Sequence, residues 1–314
     1  MVLILLKDIL LLYGDLKNKT MNNIIENRKK VYQNFPKENL EANLADMVLF
    51  YNINENDYNE LIEATKTFLL KTMSLAYGKE FVWTDTFLED YDELITNLPN
   101  KTPNGIVNPK KETTGEFNKI QIAVNNIFNN LGVYKNIKKL AIPNLRYKST
   151  TEPETAKNRP YYTSKHHSDA WVGHVGDSIF LIGILGDIDN NTVEFNEPIN
   201  VHDNYLDKAE SFDEGNTRYE RFEYLGTLSK GKLGVMDHAC LHKTLVKEGS
   251  KPRLSMDIAV MIDSEYSHAN GDGFDPNAYS YYEPITLQSI GNNYTYNVKE
   301  SIHDLVHTTT LTIC

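Results

Sequence analysis

The chain has 314 residues, of which 40% are hydrophobic, 24% charged and 11% aromatic. That is enough apolar chain to bury a sizeable core, and it excludes collagen-like, low-complexity and wholly disordered classes. Lys and Arg number 32 against 43 Asp and Glu, a formal charge of −11. A field of that sign repels phosphate backbones, so a dedicated nucleic-acid binder is not expected. It says little about a small-molecule substrate, whose binding is decided by a handful of groups in a pocket.

Met1–Leu12 is apolar but interrupted by Lys7 and Asp8. It is too short to span a bilayer and reads as a buried or interfacial first helix, with Met21 an equal candidate for the start. Asn22–Phe35, Leu40–Tyr51, Asp57–Tyr77 and Thr86–Leu98 carry apolar residues at helical spacing, Leu61, Ala64, Phe68, Leu69 and Met73 forming one stripe. Gly78 is placed to cap the longest of these helices. A polar loop over Asn100–Gly115 leads to a fifth predicted helix, Glu116–Leu131.

From about residue 137 the pattern changes to short β-branched or aromatic runs between Gly, Asn and Asp turns. Lys138–Tyr147, Ser178–Leu185, Thr192–Phe195, Arg221–Leu228, Lys232–Leu241 and Arg253–Ile262 read as strands of a sandwich or barrel. The acidic stretch Glu197–Arg221 suits a flap or a surface insertion. After Asp263 the chain turns polar and Tyr-rich, with an amphipathic stretch at Tyr296–Val306. The expectation is an α+β chain in one decorated domain, with helices over 1–136, a β core over 137–263 and a cover over 264–314. The helical part is a possible homodimer interface. Cys240 and Cys314 make no disulfide framework and fit reduced thiols in the cytoplasm.

Two stretches carry chemistry. In SKHHSDAWVG, His167 and Asp169 are two apart and would share one side of an extended strand. In LGVMDHACLHKTLVKEGSKPRLS, His238, Cys240 and His242 would share one face of a strand. The chain then returns with Arg253, Ser255 and Asp257 on one face and Leu254, Met256, Ile258 and Val260 on the other. The apolar face should pack on the helices and the polar face should line a pocket. Two imidazoles and a carboxylate on one side of an octahedral ion leave three positions open, the arrangement suited to non-haem Fe(II). A guanidinium within a β core requires an anion to offset its burial.

His-x-Asp, a distant His and Arg-x-Ser eleven positions later resemble the Fe(II)/2-oxoglutarate-dependent dioxygenases over roughly residues 137–263. The resemblance implies a double-stranded β-helix (jelly-roll, cupin-like) core. It further implies an Fe(II) triad of His167, Asp169 and His242. Arg253 would pair with the distal carboxylate of 2-oxoglutarate, and Ser255 would donate a hydrogen bond to it. His238 competes with His242 as third ligand, and the spacing to Arg-x-Ser favours His242. Arg146 and Tyr147, ending a strand, are candidates for contact with the co-substrate, and Trp171, His238 and Asn191 for contact with the substrate. The implied reaction consumes O2, releases succinate and CO2 and oxidises a C–H bond. Because Asp169 is present, hydroxylation is favoured over halogenation. Two other readings remain: a cupin-type metal enzyme without 2-oxoglutarate, and a non-catalytic β-sandwich binding module. Cys240 reads as a buried free thiol, Arg253 alternatively as half of a structural ion pair, and the Tyr279–Tyr282 cluster as surface packing.

Overall fold

The computed structural model describes residues 24–41, 47–151, 157–173 and 177–267, with two-residue strands at 283–284, 297–298 and 305–306. The expectations for Met1–Leu12, Tyr279–Tyr282, Cys314 and most of Tyr296–Val306 lie outside the described residues. Residues 24–30 are helical (α1).

The longest helix, α2 (Glu55–Tyr77), starts where the Asn54 side chain accepts from the Asp57 amide. It ends at Gly78, whose left-handed φ of 66° lets its amide close on the Ser74 carbonyl. Leu61, Phe68, Leu69 and Met73 form its buried stripe. The predicted Thr86–Leu98 helix is two short ones, α3 (Phe87–Asp90) and α4 (Asp92–Thr96), because Tyr91 leaves helical geometry at φ −117°, ψ 19°. Helix α5 (Thr114–Asn130) packs on α2 through the Phe68–Phe117 edge contact, with ring centroids 5.3 Å apart.

Leu40–Tyr51 is a correction. Its C-terminal part is strand β1 (Val48–Asn52), with Val48 opposite Met236 and Tyr51 opposite Leu233. A short apolar run fits a helix turn or a strand equally well by spacing alone, and pairing with a sheet edge decides it.

The predicted Lys138–Tyr147 strand is split into β2 (Ile137–Leu140) and β3 (Asn144–Lys148) around Pro143, which has no amide to donate. There follow β4 (Ser178–Gly186), β5 (Asn191–Val201), the four-residue helix α6 (Phe212–Gly215), β6 (Tyr219–Thr227), β7 (Lys232–Asp237), β8 (Leu241–Val246), β9 (Arg253–Ile262) and β10 (Glu283–Pro284). The predicted Lys232–Leu241 strand stops at Asp237. There the Asp237 carboxylate accepts from the Ala239 amide, and the Cys240 amide closes on the Asp237 carbonyl. An Asp turn replaces the continuous strand.

All strand pairings among the described residues are antiparallel. One sheet runs β1-β7-β4-β9-β2-β10 with β3 also on β9, and a smaller one runs β6-β5-β8. Alternation along β9 divides the core. Leu254, Met256, Ile258 and Val260 join Phe180, Ile182 and Val235 against the helices, and Phe128 of α5 meets Phe180 edge-on at 5.2 Å. Each such side chain, fully buried, contributes about 1.5–3 kcal/mol. Ile179, Met236 and Ala259 point the other way, toward Val193, Phe195 and Leu241 of the small sheet.

Candidate active site

A cavity of about 360 Å³ opens between the two sheets, floored by Ile179, Leu181, Val193, Met236 and Ala259. His167, Asp169 and His242 lie on its wall, with one ligand atom from each within 4.8 Å of the others. The His167 and His242 ring centroids are 4.1 Å apart, and His242 Nε2 is 3.8 Å from Asp169 Oδ1.

The expected extended strand at 167–169 is only a single bridge. His167 pairs with His242, and the chain then turns at Ser168 into a 3-10 helix over Asp169–Val172. The turn is tied down by the His238 carbonyl, which accepts from Ser168 Oγ at 2.8 Å and from the Ala170 amide at 3.2 Å.

The donor set fits a divalent transition metal. His167 Nδ1 lies 2.8 Å from the Lys165 carbonyl and His242 Nδ1 lies 3.2 Å from the Cys240 carbonyl. A carbonyl oxygen only accepts, so each Nδ1 carries the proton and each Nε2 offers a lone pair. Burial, followed by the neighbouring His242, pushes His167 well below the ordinary imidazole range and keeps it neutral. Phe212 of α6 stacks on the His167 ring at 4.1 Å and 18°. That contact comes from the Glu197–Arg221 stretch, whose sequence carries no period that would mark it.

Arg253 and Ser255 also line the cavity, and both are buried. Arg253 Nε donates to Asn191 Oδ1 at 3.1 Å and Nη1 to Ser255 Oγ at 2.5 Å. No carboxylate pairs with Arg253 among the described residues, unlike Arg28, Arg146 and Arg218. Burial, then the nearby Arg146, bring Arg253 down to about 10. The structural ion pair is therefore not formed by the described residues.

Arg146 lines the cavity with its guanidinium committed to Asp257, which Asn144 Nδ2 also holds at 3.0 Å. Tyr147 is a lining residue too, but its hydroxyl donates to Asp92 at 2.7 Å.

Three expected substrate contacts sit elsewhere. Trp171 is fully buried against Tyr205 and Tyr219, its indole N–H donating to the Tyr205 carbonyl. In a 3-10 turn a residue two positions on does not share a face, so Trp171 leaves the side of Asp169. His238 lies in the turn after β7, its ring 3.3 Å from Arg28 Nη2. Asn191 orients Arg253 from behind and donates to the carbonyls of Lys148 and Lys251. Cys240, also in the turn, is a buried thiol against the Asn196 carbonyl.

The sequence patterns also pass over a buried ionic cluster behind the site. Arg28 of α1 contacts Asp237 and Asp177, Tyr32 donates to Asp237 at 2.9 Å, and Ser267 donates to Asp177 at 2.6 Å. Asp237 begins the turn that leads to His242.

The sequence matches no family model and no curated protein. Solved structures do match. The non-haem α-ketoglutarate-dependent epimerase SnoN from nogalamycin biosynthesis is 12% identical, covering 76% of this chain and 83% of its own, at a TM-score of 0.31. The carbocyclase SnoK from the same biosynthesis is 9% identical, covering 77% and 85%, at 0.32. An N-substituted L-amino acid dioxygenase from Burkholderia ambifaria AMMD is 12% identical, covering 70% and 84%, at 0.35. No helix among the described residues is long and apolar enough to cross a membrane.

Proposed function

We propose that the chain is an Fe(II)- and 2-oxoglutarate-dependent oxygenase that hydroxylates a C–H bond of a small molecule. The observation that carries this is the pairing of a His-Asp-His ligand set with a buried guanidinium that has no carboxylate partner among the described residues, both on one cavity.

His167, Asp169 and His242 would hold the iron, and their placement on one side leaves room for a bidentate 2-oxo acid. Arg253 would receive the far carboxylate, its fork matching two oxygens and its charge fixed at working pH. Asn191 holds Nε and so fixes the direction of that fork. Ser255 accepts from Arg253, which leaves its own O–H to donate to the same carboxylate. The apolar floor keeps water from the reacting carbon. Iron with 2-oxoglutarate and O2 supplies the oxidising equivalents for C–H cleavage, with succinate and CO2 as co-products.

The strand pattern supports a double-stranded β-helix core. The chain visits the two sheets in the order β3 large, His167 bridge small, β4 large, β5 and β6 small, β7 large, β8 small, β9 large. On this reading residues 137–263 are the catalytic core and the helices brace its larger sheet.

The test is succinate formation by purified protein with Fe(II), 2-oxoglutarate and O2, with and without pools of small molecules. The proposal expects slow succinate release that requires all three components and accelerates with a substrate. Full iron uptake with no succinate under any pool would reject it.

A further inference from the structure

Of the residues Ser168–Trp171, only Asp169 is not buried. Its neighbours on both sides are fastened to one atom, the His238 carbonyl, by Ser168 Oγ at 2.8 Å and by the Ala170 amide at 3.2 Å. Ser168 Oγ also accepts from the Ala170 amide at 3.2 Å, so one hydroxyl caps the 3-10 helix and donates to the turn after β7. Ser168 itself is extended, at φ −111° and ψ 139°, and helical geometry begins at Asp169. The hydroxyl therefore marks the residue at which the chain changes direction. Trp171 secures the other end. Its amide donates to the Ser168 carbonyl at 3.1 Å, its carbonyl accepts from the Ala209 amide at 2.8 Å, and a Cβ on Gly215 would fall 2.3 Å from its indole.

The acceptor is held as firmly as the donor. The Asp237 carboxylate accepts from the Ala239 amide at 2.8 Å, and the His238 amide donates to the Asp177 carbonyl at 3.1 Å. Arg28 Nε donates to Asp237 Oδ2 at 3.1 Å. The same turn supplies the Cys240 carbonyl that faces His242 Nδ1. One turn thus orients His242 directly and reaches Asp169 through Ser168. An aspartate has only two side-chain torsions, so the backbone at 169 decides where its carboxylate can stand. Fixing that backbone in advance removes an ordering cost from metal binding.

We infer that Ser168 is a positioning residue for the metal centre. By bonding the His238 carbonyl, its hydroxyl fixes the backbone at 169 so that the Asp169 carboxylate faces His242 Nε2 at 3.8 Å. This rests on reading His167, Asp169 and His242 as the metal ligands.

The experiment titrates the full chain, freed of metal, with Co(II) under anaerobic conditions, because the d–d absorption of Co(II) reports its ligand set. Urea unfolding of each metal-free variant is measured alongside. Ser168→Ala is expected to bind Co(II) about tenfold more weakly, as for loss of an outer partner of a metal ligand, with an altered d–d spectrum. Ser168→Thr keeps the hydroxyl and should recover the wild-type affinity. Should Ser168→Ala fail to fold, Ser168→Gly carries the same expectation at a smaller capping cost.

A residue acting through Asp169 has nothing to act on once that carboxylate is gone. Ser168→Ala should therefore add no further loss of affinity in an Asp169→Ala background, whereas a merely structural Ser168 would subtract equally from both. This cycle is read with Cu(II), which nitrogen ligands hold most tightly among the first-row divalent ions. The inference is overturned if the folded hydroxyl-free variant binds Co(II) with wild-type affinity and spectrum, or if the loss is as large without the Asp169 carboxylate as with it. Wild-type chain that takes up no Co(II), or His167→Ala that takes it up fully, would instead reject the ligand assignment and the oxygenase reading built on it.

Discussion

The main-chain amides of His167 and His242 donate to each other's carbonyls, at 2.9 and 2.8 Å. This reciprocal bridge joins two segments 75 positions apart and sets both rings on the same side of the cavity, 4.1 Å apart. His167→Ala and His242→Ala are therefore expected to lose Fe(II) binding, whereas His238→Gln, altering a ring on the far side of the turn, should retain full stoichiometry. Metal content after anaerobic loading distinguishes them. Loss of iron in His238→Gln with retention in His242→Ala would reverse the ligand assignment.

Arg253→Gln should leave iron uptake intact and weaken 2-oxoglutarate by about 2–5 kcal/mol, the cost of a buried carboxylate deprived of its cation. Calorimetric titration of 2-oxoglutarate into the metal-loaded variant measures this. Affinity equal to wild type would mean that the guanidinium does not receive the co-substrate.

The outline of the site was legible because β9 alternates so cleanly. Its polar and apolar faces could be read from Arg253–Ile262, and the observed strand has the same bounds. The helices α2 and α5 were legible from their stripes and, for α2, from Gly78. What failed were turns. Spacing alone does not reveal that the Asp237 side chain folds the chain back at 238–240, nor that Ser168 opens a 3-10 helix, and these two turns removed His238 and Trp171 from the pocket. Arg28 and Phe212 were illegible as site neighbours because their roles depend on contacts remote in sequence, and Asn191, read as a substrate contact, instead accepts from Arg253 Nε.

The cluster behind the site makes a separate prediction about stability. Arg28 offsets two carboxylates, Asp177 and Asp237, with its side chain 7% exposed and theirs 1% and 0%. Arg28→Met leaves both without their cation and should cost about 3–5 kcal/mol in urea unfolding. An unchanged midpoint would show that the pairing contributes nothing.

Glu194 gives a pH dependence with a defined sign. Burial alone would raise its carboxyl, but hydrogen bonds from Asn196, Lys243 and His166 outweigh burial and hold it below the ordinary 4.5. The unfolded chain thus takes up that proton first as pH falls. The stabilisation is complete above about pH 4.5 and is lost as pH drops through the lower folded value. Glu194→Gln should cost about 1–2 kcal/mol at neutral pH, and the gap to wild type should close on acidification below 4.5. Denaturant unfolding at several pH values reads the gap, and a gap independent of pH would contradict the assignment.

The most direct test of the shared iron and co-substrate site is absorption spectroscopy of the anaerobic protein during addition of Fe(II) and then 2-oxoglutarate. The predicted result is a weak visible charge-transfer band that needs both components and is absent in His167→Ala. Iron uptake at full stoichiometry with no band on adding 2-oxoglutarate, or no iron uptake at all, would contradict it.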